Sequence, residues 1–463
     1  MGSLRGFRGR PPGRACSAAR SAIWLVLAAL VAGGQFAHPA RVAAQAAGEA
    51  DIELRVQQLV QRLGSDNGNV RDAAERQLLE LGANILPLLP TATASLPPVA
   101  TEPLTRLRDA LLAKMAEEVG RASQLSLRGR LSLASLLEEV YRQTGNRVVD
   151  QRRQLGGDAP ELEIPVDAVR REFWPAMDDI LDEGELAWYA TSGVPRALAL
   201  QAARPGEASR AGEACYRGAF RLAVTQVAAR RSTRLPDDAG LLVRLELLWE
   251  PKLAPLLIRQ RLVDLAAEDD TGRLLAARDS SGASEVPVAS TVSGTELTLH
   301  LPLPSREARQ LARLKGRLSV VTPGPEETFE FDRLELAAAP RSQKRPSGVV
   351  VTLEEVRRAG DTVTCLVKLQ LPSSSPPLES HLDWARRNVA YLVAPDGRRI
   401  DDPVVDRYRE GEREVGHAYL FPLAGDTPGN NAEDLAGYRL VYRTPGTLVE
   451  VPVEYEFTGI ALP

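Results

Sequence analysis

A chain of 463 residues is long enough for about three or four domains of ordinary size. Its 44% hydrophobic and 25% charged residues exclude a fibrous or disordered chain. The formal net charge is −4, and residues 1–46 hold six Arg and no acid, so the remainder carries 51 basic against 61 acidic residues, about −10. That acidity argues against a general nucleic-acid binder, which needs a basic face to displace phosphate counterions.

Arg5, Arg8, Arg10, Arg14 and Arg20 precede an apolar run, Ala22 to Ala32, which is followed by the sites Val42-Ala43-Ala44 and Ala44-Gln45-Ala46. A positive region, an apolar run and small residues in that order predict a secretory signal peptide over 1–46. The run is shorter than the ~20 residues a membrane span needs, so no stable span is expected after cleavage. The protein is expected in the periplasm or outside the cell, with an N-terminal membrane anchor as the alternative if the leader is retained. Beyond the leader only Cys215 and Cys365 are cysteines, too few for a disulfide framework. Cys365 reads as a small buried hydrophobe in a strand, and whether it bonds to Cys215 is left open.

Residues 47–120 read as helical. Leu54, Leu59 and Leu63 lead to the turn Gly64 to Gly68, and Val70, Ala73, Ala74, Leu78 and Leu81 form a second apolar face ending at Gly82. This hairpin resembles a single HEAT-type helical repeat, and the resemblance implies a protein-contact surface. Such arrays need about three repeats to stand alone, so the alternative is a packing element. The Pro-, Ser- and Thr-rich stretch Pro90 to Pro98 precedes a further helix, Leu104 to Val119.

Residues 121–203 read as an α+β module. Leu125 and Leu127 suggest a short strand; Leu133, Leu136, Leu137, Val140 and Tyr141 share a helical face; Gly145 ends that helix before Val148-Val149. The scheme returns with Leu162 and Ile164, the helix Phe173, Trp174, Met177, Ile180 and Leu181, and a strand through Trp188-Tyr189. This doubled strand, helix, strand pattern resembles the short N-terminal domain of secretins and TonB-dependent receptors. The resemblance implies an interaction module of bacterial envelopes and no catalytic residue. The polar insertion Gln151 to Pro160 departs from the compact family pattern.

After a linker at 204–212, the period becomes two. Val243, Leu245, Leu247 and Trp249 oppose Arg244 and Glu246; Leu297, Leu299 and Leu301 oppose Thr298 and His300; Val449, Val451, Val453, Tyr455 and Phe457 oppose Glu450, Pro452, Glu454 and Glu456. Strict alternation predicts antiparallel sheets with one buried face. Asp269-Asp270-Thr271-Gly272, Thr322-Pro323-Gly324-Pro325 and Asp396-Gly397 read as turns between strands. Strings recur in order: Val224-Thr225 as Val351-Thr352, Arg230-Arg231 as Arg357-Arg358, Leu242 to Leu247 as Leu366 to Leu371, and Thr328 to Phe331 as Glu454 to Phe457. Two related β-sandwich repeats are therefore expected, at 213–340 and 349–463, joined by a linker at 341–348.

Of the histidines beyond the leader, His300, His381 and His417, none stands at metal-ligand spacing. The sequence contains no H-E-x-x-H, C-x-x-C, G-x-S-x-G, Walker A or G-x-G-x-x-G motif. The residual candidates are carboxylates. Asp269 and Asp270 could offer oxygens to a metal but lack the alternating ligands and closing Glu of a calcium loop. Glu250 and Glu379 could form a glycosidase pair only if held about 5 to 10 Å apart across a sugar. Trp249 continues a buried alternation, whereas Trp384, in Ser380 to Asn388, has no clear period and is the candidate ligand contact.

The expected fold is thus multidomain α+β, and the expected function is exported, non-catalytic binding or scaffolding in the cell envelope, without a cofactor. The expected partner is an envelope protein or polysaccharide. The alternatives are a carbohydrate-active or other hydrolase using acidic loop residues, and an accessory part of a secretion or TonB-linked assembly.

Overall fold

The computed structural model describes residues 39–90, 98–152, 159–189, 193–204, 214–231, 234, 239–276, 282–289, 291–336, 340–372, 382–411, 413–423 and 435–463. The chain divides into two compact units, Met1–Arg55 and Val56–Pro463. In the first, the described residues are helical; the second holds all of the described sheets. No helix among the described residues is long and apolar enough to cross a membrane.

Helix α1 spans Pro39–Leu63, α2 Gly68–Leu81 and α3 Pro98–Gly120. The turn expected at Gly64 to Gly68 is present, and Asn67 starts α2 by accepting a hydrogen bond from Asn69 N at 3.0 Å. Val56, Leu59, Leu63, Ala74, Leu78, Leu104, Leu107 and Leu111 are buried, and they share a core with the first set of sheets described below.

The next segment alternates as the hydrophobic pattern predicts. Strand β1 (Gln124–Ser132), α4 (Leu133–Thr144) and β2 (Arg147–Asp150) are followed by β3 (Glu163–Glu172), α5 (Phe173–Gly184), β4 (Leu186–Tyr189) and β5 (Ala197–Ala202). Ser132 caps α4, and Gly145 closes it in the left-handed conformation. β1 pairs antiparallel with β3, while β2 runs parallel to β5 and β4 antiparallel to it. Leu136, Val140, Ile164, Phe173, Trp174 and Met177 fill the core between them.

The remaining strands are β6 (Cys215–Arg217), β7 (Phe220–Arg230), β8 (Gly240–Trp249), β9 (Leu257–Arg261), β10 (Ala266–Asp269), β11 (Ala283–Pro287), β12 (Gly294–Leu301), β13 (Gln310–Pro323) and β14 (Glu326–Phe331). They continue as β15 (Arg341–Lys344), β16 (Val350–Ala359), β17 (Thr362–Gln370), β18 (Val389–Val393), β19 (Arg399–Ile400), β20 (Val404–Glu410), β21 (Glu414–Pro422), β22 (Arg439–Pro445) and β23 (Leu448–Ala461). One set of sheets, β12-β8-β7-β6 and β10-β13-β9-β11, contributes to a common core; the other, β15-β16-β17-β21-β20 and β14-β22-β18-β19, contributes to a second. The order β6-β7-β8-β12 reappears as β15-β16-β17-β21. A bulge interrupts β7 between Val224 and Gln226 and β16 between Leu353 and Glu355. Aligning the bulges sets Val224 with Leu353 and Leu245 with Val367. Each lies two residues from its expected counterpart, Val351 or Leu369, and an even slip leaves the buried faces unchanged.

Two expectations need correction. The stretch Thr322 to Pro325 is no turn. Pro323 faces Leu448 in the β13–β23 ladder, Glu326 faces Pro445 in the β14–β22 ladder, and the register runs on unbroken between them. Gly324 N donates to Thr447 O at 2.9 Å and Gly446 N to Pro325 O at 2.8 Å, bridging the two ladders. The strand ending each expected repeat therefore lies in the other set of sheets: β14 pairs with β22, and β23 with β13. A division at 213–340 and 349–463 cuts across this exchange.

Nor is 341–348 a plain linker, because Arg341 to Lys344 form β15, paired with Val350 to Leu353. The alternate side chains of this segment reach the carbonyls of the exchanged strand. Arg341 donates to Asp332 O and Gln343 to Glu330 O, each at 2.5 Å, and Arg345 donates to Thr328 O. Those donors occupy carbonyls along an edge that would otherwise stand open to another strand.

Candidate functional site

Among the acidic candidates, Asp269, Asp270 and Glu250 are engaged in structural contacts. Asp269 is 1% exposed and ends β10; its carboxylate accepts from Thr271 N and Arg273 N at 3.0 Å, Thr271 Oγ1 at 2.6 Å and Ser305 N at 2.8 Å. Burial opposes its charge, but these hydrogen bonds outweigh burial and hold the carboxyl down at about 2. Asp270 accepts from Arg309 N at 3.1 and 3.2 Å. The pair pins a turn closed by Gly272 at φ 84° onto the 305–309 segment. These contacts come from N–H and O–H donors, so the oxygens proposed for a metal are engaged, and no cluster of three or more His, Cys, Asp or Glu among the described residues could hold one.

Glu250, considered with Glu379 as a glycosidase pair, is fully buried. It accepts from Ser123 N at 2.8 Å, Ser123 Oγ at 2.5 Å and Asn146 Nδ2 at 2.7 Å, and pairs with Lys252 Nζ at 3.0 Å. Asn146 in turn accepts from Lys252 N at 3.0 Å. The group ties the start of β1 and the end of α4 to the end of β8. Glu379 and His381 lie outside the described residues. Trp249 is buried as its alternation predicts, and His300 is exposed. Cys215 and Cys365 are both free and buried, so they form no bridge, and burial pushes the Cys365 thiol up to about 12.

A second buried network was not expected from the sequence. Asp178 on α5 and Arg221 on β7 are each 2% exposed and pair at 2.8 Å. Trp188 Nε1 and Tyr216 Oη also donate to Asp178, at 3.0 and 2.6 Å, and Arg221 reaches Glu246 at 3.1 Å. Burial pushes the Glu246 carboxyl up, and Arg221 opposes that shift. The signal was present as one acid within the apolar face of Trp174, Met177 and Ile180, but a lone charge on a helix does not name its partner. Between the two networks, Trp174 Nε1 donates to Ala219 O at 2.9 Å. The α+β segment and the first β strands are thereby joined through buried polar groups.

Trp384, the candidate ligand contact, is buried, at 5% exposure. It nevertheless lines a pocket of about 220 Å³ where the two sets of sheets cross over. The turn before β5 supplies Pro195 and Arg196; the loops flanking β9 and β11 supply Leu253 to Leu256, Val288 and Val292; the crossover supplies Pro323, Glu326, Arg443 and Pro445. Asn388, also in the wall, is fixed by donating to Tyr442 Oη at 2.7 Å and Thr444 Oγ1 at 2.9 Å. Trp384 Nε1 and Arg443 Nε are buried without a hydrogen-bond partner. No family model matches the sequence, and no curated protein is significantly similar to it. What this arrangement can do chemically is therefore read from its groups: the described residues of the wall offer N–H donors, cations, the Glu326 carboxylate and apolar surface.

Proposed function

We propose that this is an exported, non-catalytic binding or scaffolding protein of the cell envelope, in which two duplicated antiparallel β-sandwiches carry an interaction module resembling the short N-terminal domain of secretins and TonB-dependent receptors. The observation that carries the reading is the buried joining of the parts. The Glu250 and Asp178 networks fasten the α+β module to the first sheets, and the exchanged strands fasten the first sheets to the second. Such fastening suits a protein that holds partner surfaces at fixed spacing, and it uses Glu250, one of the carboxylates considered for hydrolysis, as an internal brace. Tyr141 and Tyr189, 56% and 49% exposed on the module, are suited to contact an envelope protein.

The test is affinity capture from envelope extract with the chain from Ala47 onward. Truncation at Gly212 is a poor control, because it would strip Ser123, Asn146 and Asp178 from buried Glu250 and Arg221. Point variants are cleaner. Tyr141→Ser with Tyr189→Ser is expected to lose the captured partner, while Asp270→Asn retains it. Turnover of an envelope polysaccharide that disappears in Asp270→Asn or Glu379→Gln would instead establish the hydrolase.

A further inference from the structure

We propose that the crossover pocket binds a small carboxylate with an aliphatic body, as a free acid or as the C-terminal residue of a peptide. The inference rests on the binding role proposed above and names its chemistry at this site. Trp384 Nε1 and Arg443 Nε are buried donors with no acceptor. An unsatisfied buried donor is costly, and folded proteins keep few of them. Both side chains belong to the wall of one pocket. Arg196 and Arg443 line the pocket, and Glu326 is the one carboxylate among the described residues of its wall, so the ligand the site favours is an anion.

A guanidinium presents its N–H groups as a fork that matches the two oxygens of a carboxylate. Much of the rest of the wall is apolar, and 220 Å³ admits a ligand the size of a single branched aliphatic residue and little more. Arg196 holds φ 55°, a conformation costly for a residue with a Cβ. Such strain persists where surrounding structure demands it, here in a turn that places a cation at the pocket rim.

The test titrates the chain from Ala47 onward with 4-methylpentanoate, N-acetyl-leucine and N-acetyl-leucinamide. Binding is read at the indole N–H resonance of Trp384, assigned through Trp384→Phe. The expected result is a dissociation constant of about 1 mM or tighter for at least one acid and at least about tenfold weaker binding of the amide. Preference for 4-methylpentanoate identifies a free acid, and preference for N-acetyl-leucine a peptide terminus. Arg443→Gln should weaken the acid about tenfold without affecting the amide. Arg196→Gly, which relieves the positive φ and so is not expected to harm folding, should weaken the acid severalfold. Equal binding of acid and amide, acid binding unchanged in both Arg variants, or no movement of the Trp384 resonance overturns the proposal. Partner capture that persists alongside any of those results leaves the binding role standing and removes this pocket from it.

Discussion

Tyr455 and Gln260 stand 195 residues apart in sequence, yet the Tyr455 hydroxyl donates to Gln260 Oε1 at 3.0 Å. Both residues are nearly fully buried, at 2% and 1% exposure. The orientation of the amide is fixed, because Gln260 Nε2 donates to Arg261 O at 2.9 Å and Arg317 O at 3.2 Å. Tyr455→Phe leaves a buried acceptor without its donor, at a cost of about 1–3 kcal/mol. Gln260→Met leaves the buried hydroxyl without its acceptor, at a similar cost. Removing both partners restores an apolar contact, so the double variant should lose less than the sum by about 1–2 kcal/mol. Urea unfolding of the four proteins measures that coupling. Were β23 paired within its own repeat, Tyr455 and Gln260 would be far apart and their effects would add within about 0.5 kcal/mol. Additivity at that level would refute the strand exchange.

Three further outcomes follow from named contacts. Arg221→Met strands buried Asp178 and should cost about 3–5 kcal/mol, while adding Asp178→Leu should recover only part of the loss, because it also removes the acceptor of Trp188 Nε1 and Tyr216 Oη; denaturant midpoints of the single and double variants decide it. Asp269 has its carboxyl depressed from 3.8 to about 2, so its contribution is present above the ordinary value and drains away as pH falls through the folded one. Melting temperature should therefore drop between these limits, and Asp269→Asn should flatten that part of the profile. Gly218 holds φ +57° with Gly120 O only 2.0 Å from where a Cβ would sit, so Gly218→Ala should cost at least about 2 kcal/mol in chemical unfolding, and a neutral result would contradict the packing there.

The elements that the sequence made legible are those whose side chains repeat with the backbone. Leu297, Leu299 and Leu301 are buried in alternation, and α4 and α5 bury the faces that their spacing predicted, except that Tyr141, expected on the α4 face, is 56% exposed. Pairing was less legible, because alternation shows which face of a strand is wet but not which neighbour it meets. Buried charge was the least legible. Glu250 and Asp178 look like any surface acid in one dimension, and their partners, Ser123 and Arg221, lie 127 and 43 residues away. Trp384 attracted notice for lacking a period and proved to be buried; the irregularity belonged to a 3-10 turn, Leu382–Arg387, at the crossover.

The crossover itself shows why Pro-Gly misleads here. A type II turn needs positive φ at the glycine, and tight hairpins prefer turns of the opposite twist, such as Asn-Gly. Neither Gly324 nor Gly446 has positive φ, so neither Thr-Pro-Gly folds back. Pro325 lacks an N–H but keeps its carbonyl, which takes the hydrogen bond from Gly446, while Gly324 gives its own to Thr447. The two Thr-Pro-Gly strings thus meet across an approximate twofold axis, each supplying the donor that the other's extended strand requires. Alternation alone is the same for a strand that folds back and one that crosses over, so these residues carry the difference. Crossing over places Pro323, Glu326, Arg443 and Pro445 in one wall beside Trp384, and folding back would not. The exchange that joins the two sets of sheets is therefore also what builds the pocket.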